Sequence, residues 1–400
     1  MMAKAGPVKH RWATLPVLAY GFRTFFLLAA AAAVALVAVW LAVLLLGVGW
    51  PDGLPAVAWH AHEMLFGFVG AAVAGFMLTA VPSWTGMAPI AGTRLAFLAA
   101  LWLIGRVASL PPFAASPIAA LLDIAFLPAV GALLAIPLIA AGKARNIVFL
   151  ALLLGLAFAN LLMRLEWMGW SDGSASYGRT LALGIVLLMV TVIGGRIVPA
   201  FTHNALRERA ADLTIPARPL LDRAVVLATV AMIALDLAAP ESLAATLATG
   251  AAALLQAIRL AGWKTASTLS QPLLWVLHLG YAWVPVALAL KTGALLGLPW
   301  GSGWLHALTI GGFATMILAV ASRAGLGHTG RALVAPRPAV AAFALVSAAA
   351  LLRVGVEGLP SGLFAVALGA SALAWIAAFL LWLSAYAPIL MRARADGAPG

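Results

Sequence analysis

Trp59-His60-Ala61-His62-Glu63-Met64-Leu65-Phe66-Gly67-Phe68 puts two imidazoles and a carboxylate within four residues, at the mouth of an apolar run that reaches Pro82. Ionisable groups at bilayer depth are rare and usually face a bundle interior, a cavity or a cofactor. Histidine is the commonest metal ligand. Helical geometry places Glu63 on the face of His60, while His62 lies about 200° from His60 around the axis. One metal cannot take both histidines unless the helix unwinds. One ligand with one partner, or two separate centres, is expected.

The other histidines also fall at helix ends. His306, in Gly303-Trp304-Leu305-His306-Ala307, opens a later span at the same face as His60 and His62. His203 closes the sixth span at the opposite face, His278 lies about two turns into the ninth, and His328 follows the tenth. His306 and His328 are 22 residues apart, roughly 33 Å along a helix, so they cannot share a metal. Depth therefore predicts an outer centre (His60, His62, His306) and an inner centre (His203, His278, His328). Two redox centres on opposite sides of a membrane can pass electrons between its faces. Only His10, in the basic N-terminal tail, stands outside both sets. Glu63 and Tyr281, three residues after His278, are the candidate proton carriers. Arg196, two turns before His203, is placed to hold a haem propionate. Arg106 and Asp123 can pair, although snorkelling to the interface explains most charges near span ends. Met316 reads as core packing.

The elements that position these residues are membrane helices. The chain has 400 residues, of which 64% are hydrophobic and 9% charged, with a mean hydropathy of +1.08. Soluble domains carry about 25% charged residues, so this is a single all-α polytopic membrane domain. At about 20 apolar residues per crossing, twelve spans are expected: 23–47, 57–81, 94–110, 117–141, 146–167, 180–203, 219–239, 242–261, 272–296, 303–325, 338–356 and 362–388. The first is too long for a signal-peptide core and is read as retained. A polar loop, 203–223, joins a first six-helix half (1–202) to a second (224–400).

Eighteen Lys and Arg residues fall on the side holding both termini, against Arg179 and Lys291 on the other. By the positive-inside rule both termini are cytoplasmic. The net charge of +12 is thereby accounted for by topology, and no nucleic-acid partner is implied. The absence of cysteine excludes disulfides, thiolate metal sites, iron–sulfur clusters and covalent C-x-x-C-H haem. Any haem would be held non-covalently by histidine, as haem b.

Four blocks carry a resemblance over essentially the whole chain. They are the 59–68 motif, Gly75-Phe76-Met77-Leu78-Thr79-Ala80-Val81-Pro82-Ser83-Trp84-Thr85-Gly86, the stretch from Gly194-Gly195-Arg196 to Asn204, and His306 to Arg331. Together they resemble the NnrS family, with Ser83 where Asn is the common residue. That resemblance implies a twelve-helix bacterial inner-membrane protein containing haem and copper, associated with nitric oxide metabolism and resistance to nitrosative stress. The haem–copper oxidase subunit, also twelve-helical with histidine ligands, is an analogy at the level of architecture. Three functions remain open. The first is a haem protein that handles nitric oxide, protecting other metals or reducing it to N2O. The second is a transporter for a metal, haem or small solute. The third is a haem-based nitric oxide sensor without turnover. A red protein with a Soret band separates the first and third from the second.

Overall fold

The computed structural model describes residues 15–51, 53–142, 144–207 and 214–398. His10, and part of the expected 203–223 loop, lie outside the described residues. Every regular element among them is helical. Twelve long helices follow one another: α1 (Gly21–Leu45), α2 (Ala56–Thr85), α3 (Thr93–Ala108), α4 (Pro117–Ala140), α5 (Ala144–Trp167), α6 (Ser174–Arg207), α7 (Pro219–Ala238), α8 (Leu243–Ala261), α9 (Pro272–Leu295), α10 (Pro299–Gly327), α11 (Arg337–Gly355) and α12 (Ser361–Leu390).

Ten of these, all but α3 and α7, are long and apolar enough to cross a membrane, the hallmark of a multi-pass membrane protein. α3 has only 16 residues, and α7 carries Asp222, Arg223 and Asp236. Both nevertheless run the length of the bundle. Just before α3, Gly92 N–H donates to Leu18 O beside the start of α1, while Arg106 near its far end reaches Glu63 at the start of α2. Likewise Asp222 at the start of α7 pairs with Arg259 at the end of α8, and Asp236 near its other end pairs with Lys291 of α9.

Local chemistry sets the helix boundaries. Proline, whose missing N–H costs nothing in a first turn, opens α4, α7 and α9. Ser116 and Ser242 cap α4 and α8 by accepting from Ala119 N–H and Ala245 N–H. Gly86, at φ 74°, closes α2 in a left-handed conformation that glycine adopts freely. The largest departure from expectation is α6. It continues through His203 to Arg207 over 34 residues, about 51 Å, so it outreaches a hydrocarbon core of about 30 Å.

α2 is the most deeply enclosed of the spans. It packs against α1 and α4, and α10 packs against α9 and α11. These two helices share a feature that periodicity does not reveal. α2 switches to π-helix over Glu63–Val69, directly after its histidines. α10 does the same over Ala307–Ala314, directly after His306. π segments inside α-helices are frequent at functional sites. The start of α1 and the end of α12 meet at one end of the bundle, where the buried Arg23 of α1 donates to Leu390 O (2.8 Å) and Arg392 O (2.7 Å). We call this the terminal end.

Candidate functional site

At the end of the bundle opposite the termini, the histidines of α2 diverge. His62 is fully buried and turns toward α4 and α5. Its Nδ1 lies 3.0 Å from Glu63 Oε1, and its Nε2 lies 2.9 Å from Asn160 Oδ1 and 3.1 Å from Asp123 Oδ2. Arg106 of α3 bridges the two carboxylates, donating from Nη1 to Glu63 Oε1 (2.6 Å) and from Nη2 to Asp123 Oδ1. Arg164 of α5, also fully buried, donates to Asp123 Oδ2 (3.0 Å), Ser109 Oγ (2.7 Å) and Ala114 O (3.3 Å). Asn160 Nδ2 donates to Asp123 Oδ2 as well (3.0 Å). Two guanidiniums thus face two carboxylates inside apolar surroundings, where mutual attraction and several hydrogen bonds offset desolvation, although Arg106 Nε has no hydrogen-bond partner among the described residues. Arg106 and Arg164 are structural ion partners, not snorkelling side chains.

Protein oxygens therefore engage both ring nitrogens of His62.

His60 points the other way, stacking on Trp40 of α1 with ring centroids 4.6 Å apart. Its Nδ1 is buried without a hydrogen-bond partner. His306 of α10 lies within electrostatic reach of His60, and Arg353 of α11 is within reach of both. The expected outer trio is thus divided: His62 belongs to the ion cluster, whereas His60 and His306 lie within electrostatic reach of one another.

The terminal end holds a second polar system. His278 of α9 is fully buried, with Thr202 Oγ1 at 2.8 Å from Nε2 and Thr265 Oγ1 at 2.9 Å from Nδ1. The Thr202 hydroxyl donates to Val198 O, so it accepts from His278 Nε2–H, and Nδ1 accepts from Thr265. One turn on, the Tyr281 hydroxyl donates to Gln256 Oε1 and accepts from Arg259 Nη1 (3.1 Å). Arg259 also donates to Thr191 O (2.9 Å) and pairs with the half-exposed Asp222 (2.7 Å). A polar path therefore leads from the surface to Tyr281. Two glycines of the 194–204 block make room for it. A Cβ on Gly195 would lie 1.9 Å from Arg259 Nη2, and one on Gly194 would lie 3.0 Å from the Tyr281 ring.

The rest of the expected inner set is spread out. His203 Nδ1 accepts from Ile215 N–H at 3.5 Å. The His328 ring packs on Phe22 with centroids 5.5 Å apart, and burial, with Arg394 alongside, holds its pKa below the usual histidine value. Arg196 sets its guanidinium over the Phe149 ring, 6.0 Å from the centroid. No three His, Asp or Glu side chains among the described residues gather in a way that could hold a metal ion on their own.

The sequence reading did not single out Asn160, Gln256, Arg259, Thr202, Thr265 or Trp40. The one signal open to it was a polar residue at mid-span, as with Asn160 and Gln256 in otherwise apolar helices.

Between the two polar systems lies a small cleft of about 80 Å³, lined only by apolar residues of α1, α2, α6 and α10, including Phe26, Val69, Gly194, Phe313 and Met316. Met316 lines this space as well as filling core.

These features define a multi-pass helical membrane protein with buried imidazoles and ion networks at both ends. Its sequence matches the family described as NnrS protein over residues 16–394, and the chain belongs to that family. Membership suggests a role in nitric oxide metabolism. No curated protein is matched.

Proposed function

We propose that this protein is a bacterial inner-membrane protein of twelve crossings, with both termini cytoplasmic, that binds haem b and copper and protects against nitrosative stress by reducing nitric oxide to N2O. The observation that supports this most is the His60–His306 pair. A buried imidazole nitrogen without a partner is costly, and His60 Nδ1 is such an atom. Two neighbouring imidazoles are the donor set that haem iron and copper take. His62 and His278 differ, because protein partners already engage both nitrogens of each ring.

His60 and His306 would be the ligands, with Trp40 fixing the His60 ring by stacking. Haem held by one of these two imidazoles would supply an iron with a position open to nitric oxide. Joining two nitric oxide molecules as N2O and water consumes two electrons and two protons, the electrons coming from a donor outside the chain. Glu63, three residues from His60 and bonded to His62 and Arg106, is the proton carrier nearest the pair in sequence. Tyr281 would serve from the terminal end through the Arg259–Asp222 path.

Haem and metal content of the purified protein tests the assignment. Pyridine haemochrome and metal analysis should find b-type haem in the wild type and loss of it in His60→Ala and His306→Ala. Thr202→Val, which removes a His278 partner, should leave haem content near wild type. A colourless, metal-free protein expressed with ample haem would contradict the proposal and favour a transporter.

A further inference from the structure

Resting on that reading, we propose that the cleft between α1, α2, α6 and α10 is a binding site in which nitric oxide collects from the bilayer on its way to the imidazole pair. The lining decides the class of occupant. Phe26, Val69, Phe76, Met189, Phe313 and Met316 present no polar side-chain atom. A quinone, a peptide or a haem propionate would leave its oxygens unpaired there, which is costly. An uncharged diatomic gas needs no such partner and partitions into hydrocarbon. Apolar cavities in proteins stay dry and take up xenon or benzene for the same reason.

Position supplies the second argument. On α2 the wall begins at Val69, the last residue of the π segment that starts beside His62. On α10 it begins at Phe313, inside the π segment that starts beside His306. His60 and His306 therefore stand within about three helical turns of the cleft along their own helices. The opposite wall includes Gly194, whose absent side chain lets the Tyr281 ring approach. The cleft thus lies between the proposed ligand pair and the proposed inner proton carrier.

Xenon is the probe, applied to the full-length protein in nanodiscs, with nitric oxide binding followed by stopped flow on the reduced protein. Xenon should occupy the cleft. Ala72→Phe and Val190→Phe, which fill it from α2 and α6, should abolish that occupancy and slow nitric oxide binding several-fold with haem content unchanged. Met316→Ala enlarges the space and should raise xenon occupancy, which covers the case of a filled variant that fails to fold. Xenon absent from the cleft, a lipid acyl chain seated there, or an unchanged nitric oxide rate in the filled variants would overturn the proposal. A haem-free chain that still takes xenon in the cleft would contradict the proposed function while upholding a gas site.

Discussion

His60 and His62 are two residues apart and do opposite things. One keeps a buried nitrogen without a hydrogen bond beside a second imidazole, and the other is wedged between Glu63, Asp123 and Asn160. The 200° that separates them around a helix is the cause. Asp123 is the centre of the ion cluster, meeting Arg106, Arg164, Asn160 and His62. Asp123→Ala would leave the buried Arg164 without its carboxylate partner and Arg106 with Glu63 alone. Breaking a buried pair in this way costs about 3–5 kcal/mol. Thermal unfolding in detergent should therefore show a large fall in Tm for Asp123→Ala, and an unchanged Tm would mean that the cluster contributes little to stability. The pairing of Arg106 with Asp123 was legible as an option, since both sit near span ends on one face. Arg164, Asn160 and Ser109 were not, because nothing local in the chain shows which distant polar residue a buried carboxylate will meet.

The helices themselves were almost fully legible, because twenty-residue apolar runs bounded by proline and glycine leave few alternatives. The π segments were not. Their apolar stretches read as ordinary helix, and the widened turn is set by tertiary packing that no residue pattern announces. In α2 the segment Glu63–Val69 separates the histidines from the cleft wall. Deleting Met64, which is only partly buried, should restore α-helical pitch and turn His60 by about 100° relative to Val69. Haem content of the deletion variant, measured beside its helical circular dichroism, checks this. The expected outcome is lost haem with retained helicity, and retained haem would show that the π turn is not needed to orient His60.

For the whole molecule, the Arg23 contacts with Leu390 and Arg392 hold the beginning and the end of the bundle at one face. Ten helices among the described residues are long and apolar enough to cross a membrane; the proposed twelve crossings add α3 and α7, and the proposed cytoplasmic placement of both termini rests on the basic excess of the terminal side. Reporter fusions active only in the cytoplasm, placed in turn at each terminus, should both be active; activity at one alone would break the even count. Antiparallel succession also explains why histidines chosen by depth resolve into two ends while dividing within each end. Depth is set by distance along a helix, but neighbours are set by rotation and packing.

The most direct test of the account is the optical spectrum of the purified, dithionite-reduced protein before and after nitric oxide, taken for the wild type and for His60→Ala and His306→Ala. The account predicts a b-type haem spectrum that shifts on nitric oxide addition, and its loss or alteration in both variants. A spectrum without haem, or one that responds to nitric oxide identically in the wild type and both variants, would contradict it.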